Sequence, residues 1–173
     1  MGFRDLFAGL RGQSTPAPLK IKADKGAVYA PVAGKVETTA SLPDPIFASS
    51  VMGPCIAIKP ADDVIYSPVD GTPNTVMPHA FAFEGDDGVE VLVHVGIDTV
   101  EMRGEGFKIL VKAGQHIAAG TPILVFDRKK VAEAGYSDVV MTIVTNVDEL
   151  SSVDEVAASG EEVEAGSKLF QTA

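Results

Sequence analysis

The chain has no tryptophan, one cysteine and only 6% aromatic residues among its 173 positions. It is also short of positive charge, with 14 Lys and Arg against 24 Asp and Glu and a formal net charge of −10. Each shortage excludes something. Nucleic-acid backbones are held by Lys and Arg, so an acidic chain with no arginine-rich patch or RNA-binding aromatic motif reads as binding no nucleic acid. A lone thiol, Cys55, cannot close an internal disulfide, and no secretory leader is recognisable; together these point to a reducing cytoplasm. Cys55 also lacks a Cys-x-x-Cys partner and reads as a small core residue. No apolar run approaches the roughly 20 residues that a membrane-spanning helix needs.

What remains is aliphatic and rich in turn residues, with 17 Gly and 11 Pro. From Ile21 onward, short β-like runs alternate with Gly and Pro, which predicts an all-β fold. Two internal similarities specify it further. Val28-Tyr-Ala-Pro-Val-Ala-Gly-Lys-Val recurs as Ile65-Tyr-Ser-Pro-Val-Asp-Gly-Thr-Pro, and Ala113-Gly-Gln-His-Ile-Ala-Ala-Gly recurs as Ser159-Gly-Glu-Glu-Val-Glu-Ala-Gly. Two copies are too few for a solenoid. They suit an antiparallel β-sandwich built from a duplicated β unit, with very short helices at residues 128–135 and 147–158. The domain is assigned to 21–173, and 1–20 to a flexible tail. Within that tail Phe3, Leu6, Phe7 and Leu10 share one helical face. Residues 1–10 read either as an interfacial helix resting on a membrane surface or as a tail docked on its own domain. The start at Met1 and the tail-like opening favour a free protein over a piece of a longer transporter.

The richest stretch runs from His79 to Asp98, two strands around Gly85-Asp86-Asp87-Gly88. If that hairpin closes symmetrically about its turn, Phe81 opposes Leu92 and His79 opposes His94, so two of the three histidines touch. A lone histidine is usually a satisfied structural one. Two facing imidazoles can divide labour, one as nucleophile and one as hydrogen-bond donor to whatever the first acquires. Gly96 leaves room beside them. Asp98 reads equally as an acid that orients an imidazole and as a solvated turn residue. His116 lies in a repeated turn where the other copy has Glu162, which marks it as a surface position. The insertion Ser41–Gly53, with Ile46, Phe47, Val51 and Met52, reads equally as a cap on the sandwich and as an exposed apolar rim for a partner.

These residues resemble a known family, the glucose-type enzyme IIA components of the bacterial phosphoenolpyruvate-dependent sugar phosphotransferase system. The stretches that carry the resemblance are A-P-V-A-G-K-V at 30–36, L-P-D-P-I-F-A at 42–48, G-P-C-I-A-I-K-P at 53–60 and S-P-V-D-G-T at 67–72. The most specific are H-A-F at 79–81 and V-H-V-G-I-D-T-V-E-M-R-G-E-G-F at 93–107, followed by T-N-V-D-E-L at 145–150. The resemblance implies that His94 carries a phosphoryl group and that His79 supports its transfer, with Gly96 and Asp98 alongside. The implied donor is the histidine-phosphorylated carrier protein, and the implied acceptor is a cysteine on the IIB domain of a sugar transporter. Ile46, Phe47, Val51, Leu92 and Val100 would then form the docking rim, and the tail would touch the inner membrane face. No cofactor is required. Some members hold zinc through the two histidines at an interface with a regulated enzyme, so a regulatory, zinc-binding module is the alternative, and regulated enzymes or permeases are further partners. The chain departs from the family at Met77, where a threonine commonly stands two residues before the first histidine.

Two rivals are weaker. A zinc hydrolase needs a third protein ligand, and no His-x-His is present. A lipoyl-type carrier needs a lysine at a hairpin tip, and Asp24-Lys25-Gly26 only approaches that pattern.

Overall fold

Alternation of apolar residues, punctuated by glycine, becomes antiparallel strands in the computed structural model, which describes residues 15–173. The apolar segment at 1–10 lies outside the described residues. The main sheet has seven strands in the order β12-β2-β3-β10-β7-β6-β5. These are β2 (Gly34–Glu37), β3 (Cys55–Pro60), β5 (Gly71–Met77), β6 (Ala80–Gly85), β7 (Glu90–Ile97), β10 (Ser137–Val144) and β12 (Glu162–Val163). Two three-stranded sheets complete the sandwich. One is β1 (Ala27–Tyr29), β13 (Lys168–Thr172) and β11 (Val153–Glu155); the other is β4 (Val64–Tyr66), β9 (Pro122–Phe126) and β8 (Phe107–Ile109). Among the described residues, no helix is long and apolar enough to cross a membrane.

The duplication read from the sequence is a structural two-fold. Tyr29 N–H donates to the Pro68 carbonyl at 2.9 Å, and Tyr66 N–H returns the bond to Pro31 at 2.8 Å. Val28 pairs with Phe170 as Ile65 pairs with Leu124, and Gly34 pairs with Val163 as Gly71 bridges to Ile117. The two halves meet where β7 lies against β10. Val93 opposes Thr142 at the centre, with Val95–Val140 and Val91–Val144 on either side of it. A strand in this position is covered on both faces, which is why β10 reads Val-Val-Met-Thr-Ile-Val with almost no alternation.

Three apolar clusters follow from that layering. The main core, including Phe81, Val93, Ile123 and Phe170, fills the space between the large sheet and the small ones. A second cluster lies on the outer face of the large sheet, where Leu42 and Phe47 of the insertion cover Cys55, Ala57, Met141 and Ile143. A third lies behind the small sheets, where Ile21 packs on Ala27, Tyr29 and Ala119. The chain before β1 therefore crosses the rear of the molecule, held by Leu19 N–H on the Gly120 carbonyl at 2.9 Å.

Two expectations need correction. The hairpin at 85–88 is not symmetric. Gly88 adopts φ +91° and Gly85 N–H bonds the Val89 carbonyl, so three residues form the loop rather than two. Every pair in the β6–β7 ladder moves by one residue, and His94 opposes Ala80, not His79. The helix expected over 147–158 is only a 3-10 turn at Val147–Glu149, followed by strand β11; that at 128–135 is present as Arg128–Glu133. A short helix also forms at Pro45–Ala48, with Asp44 accepting from Ile46 N–H at 2.8 Å.

Thr142 is fully buried at the centre of the two-fold, and its Oγ1 has no hydrogen-bond partner among the described residues. An unmade buried hydrogen bond costs about 1–3 kcal/mol, and valine has the same outline without the hydroxyl. Thr142→Val is expected to raise the unfolding free energy by about 1 kcal/mol, read as a higher denaturant midpoint at unchanged m-value; a lower midpoint would show that the hydroxyl has a partner.

Candidate functional site

Side chains that oppose one another across an antiparallel sheet lie on the same face. On the outer face one row runs Met77–Ala80–His94–Met141–Ala57, and the next runs Thr75–Ala82–Leu92–Ile143–Cys55. His94 thus stands over an apolar floor with Ala80 and Met141 on either side. The β5–β6 turn, Pro78–His79, is where the second imidazole enters. Outside the strand, His79 is not bound by alternation, and its ring reaches the same face as His94. The ring centroids are 5.4 Å apart and the planes lie at 75°. The two histidines meet although the ladder is shifted by one residue. Backbone secures the approach, with Val95 N–H donating to the His79 carbonyl at 2.7 Å. That N–H is consequently not free to bind an incoming group.

His94 has a defined tautomer. Its Nδ1 lies 2.8 Å from the Gly96 carbonyl oxygen, which can only accept, so Nδ1 carries the proton and Nε2 keeps its lone pair. Gly96 can turn its carbonyl back toward the ring because it adopts φ +79°. A Cβ there would overlap Thr99 Cγ2 and come within 2.8 Å of the Ser137 carbonyl oxygen. Burial lowers the pKa of His94 below the ordinary 6.5; the Gly96 bond, Asp44 and Asp98 act the other way, and His79 adds to the lowering. Burial likewise lowers His79. Both rings are neutral at neutral pH.

The other expected residues lie in varied settings. Phe47 is buried, and its ring lies 4.8 Å from that of His94, so it walls the imidazole from the side of the insertion. Leu92 is half-buried against the same cluster. Ile46, Val51 and Val100 are exposed at 52%, 73% and 54%, and Met52 and Met77 are exposed too. The insertion therefore does both things read for it, capping through Leu42 and Phe47 and exposing apolar side chains through Ile46 and Val51. Asp98 is exposed in a left-handed conformation at φ 61° and touches His94 only through its charge. His116 lies away from the pair, 2.8 Å from Asp86 on the surface. Cys55 is buried, and burial pushes its thiol up to about 12, as befits an inert core residue. Lys25 sits in the turn before β1 and not at a hairpin tip.

The sequence reading missed Asp44 and Met141 as neighbours of the pair. Asp44-Pro45 carried a helix-start signal, an N-cap acid followed by proline at the first helical position. As for zinc, the described residues contain no cluster of three or more His, Cys, Asp or Glu side chains able to hold a metal. One nitrogen from each of His79 and His94 would make two donors of a tetrahedral set, and a partner would have to supply the rest.

Comparison with known proteins agrees with this architecture. Residues 26–150 match the family described as the phosphoenolpyruvate-dependent sugar phosphotransferase system, EIIA 1. A glucose-specific EIIA component of that system from Staphylococcus aureus is 36% identical over 130 residues, covering 74% of this chain and 78% of the relative. Its counterpart from Staphylococcus epidermidis is 34% identical over 150 residues, covering 86% and 87%. The solved structure of the glucose permease IIA from Mycoplasma capricolum superposes with a TM-score of 0.76 at 30% identity, over 88% of this chain and 98% of that one.

Lowered histidine pKa values couple the site to stability. The unfolded chain takes up protons near 6.5 while the folded pair resists, so the stability contributed by the pair is full above 6.5 and is lost as pH falls through the lowered folded values. Unfolding free energy is expected to decline from pH 6.5 toward about 5, above the carboxylate range. A His79→Asn/His94→Asn protein should show a flatter profile in that window, measured by denaturant titration; an unchanged slope would place the effect elsewhere.

Proposed function

Because this chain belongs to the EIIA type 1 family of the phosphoenolpyruvate-dependent sugar phosphotransferase system, and so is a phosphotransferase component of sugar uptake, we propose that His94 is its phosphoryl carrier and His79 its supporting donor. One observation carries the assignment: His94 Nδ1 is tied to the Gly96 carbonyl while Nε2 remains an unprotonated nucleophile beside a second neutral imidazole.

The chemistry balances without an external base. Nε2 of His94 attacks the phosphorus of a phosphohistidine on the carrier protein; the new N–P bond forms as the donor N–P bond breaks, and the donor imidazole leaves as a neutral ring. The proton on Nδ1 stays where it is. Such a transition state is loose and asks for in-line positioning and for donors to the equatorial oxygens more than for covalent help. His79 supplies one such donor. A neutral imidazole pair suits a reversible relay, because a strongly cationic pocket would hold the phosphate too tightly. In the second step the group leaves His94 for a cysteine thiolate of the transporter's IIB domain, and Nε2 is regenerated.

Docking is assigned to the apolar rim of Ile46, Val51, Leu92 and Val100, with Phe47 as the wall behind it. Exposed apolar side chains around a shallow reactive centre suit a protein partner better than a small polar substrate. The net charge of −10 favours a carrier with a basic docking face. The protein works in the cytoplasm, where the donor presents its phosphohistidine and the acceptor its cysteine.

The decisive test is intact-mass analysis after incubation with phosphoenolpyruvate, enzyme I and the carrier protein. A single acid-labile phosphate is expected on wild type and on His79→Ala, and none on His94→Ala; phosphate on His94→Ala would refute the assignment. Acceptance by wild type should also be constant above pH 6.5 and fall only as pH drops through the lowered His94 value, followed by rapid-quench transfer rates. A fall beginning near pH 7 would show that His94 is not held neutral.

A further inference from the structure

The geometry points to Thr99 as the positioning residue that sets which nitrogen of His94 is free to react, an inference that rests on His94 being the phosphoryl carrier. Gly96 orients the imidazole, yet glycine is the residue least able to hold its own carbonyl in one direction. Something else has to hold it. Thr99 is 1% exposed beside the exposed Asp98, Val100 and Glu101, and it opens the 3-10 turn Thr99–Met102 one residue after β7.

Both branches of its side chain are engaged. Oγ1–H donates to the Val95 carbonyl at 2.6 Å, which fixes the plane of the Val95–Gly96 peptide. Cγ2 lies over the Gly96 Cα, in the space a Cβ would take, and the Ser137 carbonyl of β10 closes that space further. With one neighbouring peptide plane fixed and the α-carbon packed, the Gly96 carbonyl is held toward His94 Nδ1 at 2.8 Å. The chain of cause runs from a hydroxyl to a peptide plane, to a carbonyl, to a tautomer. Without the hydroxyl, the Val95–Gly96 plane loses an anchor, Nδ1 is held less firmly to its acceptor, and the neutral ring divides between two tautomers. In one of these Nε2 carries the proton and cannot attack.

A purely structural threonine would affect stability alone. A positioning threonine also changes the tautomer, and two substitutions separate its branches. Thr99→Val keeps the packing and removes the donor; Thr99→Ser keeps the donor and removes Cγ2. On protein with 15N-labelled histidine, NMR of His94 should show a single Nδ1–H tautomer for wild type and Thr99→Ser, and a mixture for Thr99→Val. Phosphoryl transfer from the carrier should fall about ten- to a hundred-fold in kcat for Thr99→Val, with KM unchanged because the rim is untouched, and should return in Thr99→Ser. A folded Thr99→Val protein with the wild-type tautomer and rate would overturn the inference. If Thr99→Val does not fold, Thr99→Cys, with a weaker donor, is expected to give intermediate values, and wild-type values there would overturn it equally. The tautomer readout needs no phosphate, so a wild-type protein that accepts none would refute the role of His94 and still leave the Thr99 effect measurable.

Discussion

The structure depends on the pairing of β7 with β10. That contact joins the two halves of a duplicated fold, and Val93 opposing Thr142 marks its centre. Turned about that centre, the pair His94–Met141 falls on Ile143–Leu92, and the Val95 N–H that bonds the His79 carbonyl falls on the Val144 N–H that bonds Pro54. The two halves therefore share a backbone and differ in chemistry. Where one has two imidazoles, the other has proline and isoleucine, and the insertion's Leu42 and Phe47 cover it. Duplication supplied a stable sheet, and side-chain differences confined the imidazole pair to one half of its outer face.

Within that half the controlling contact is the bond from His94 Nδ1 to Gly96. Burial alone would keep the imidazole neutral without choosing its tautomer. The carbonyl chooses, and Phe47 restricts the ring from the side. The acids nearby, Asp44 and Asp98, act through charge without touching the ring, which tempers the effect of burial.

Much of this was legible in the residues. The repeats at Val28 and Ile65 disclosed a duplication, and the alternation along β7 disclosed a strand with His94 on its outer face. What failed was the register of the hairpin. Asp86-Asp87 between two glycines reads as a two-residue turn, but Gly88 takes the left-handed position that makes a three-residue loop. Turn composition constrains a hairpin without fixing its register, and a shift of one residue moves every partner. The two histidines met anyway, because His79 sits in a turn and not on the strand. The helix expected near 147–158 failed for a related reason: apolar spacing in a short segment was overridden by the edge of a small sheet, which recruited Val153–Glu155 as a strand. Asp44 beside His94 depended on how the insertion folds back, a long-range arrangement that local pattern does not encode.

With His94 as the proposed carrier, one nucleophilic nitrogen on one face makes the molecule a single-berth station. On that proposal donor and acceptor would visit it in turn, since each would bring its own reactive atom to the same Nε2 from the same side. Throughput is then set by turnover of visitors as much as by chemistry, because a partner that lingers after transfer blocks the next. A shallow apolar face suits such traffic: it aligns a partner without enclosing it, and departure needs no gate to open. Selection on this surface would favour short residence over tight binding.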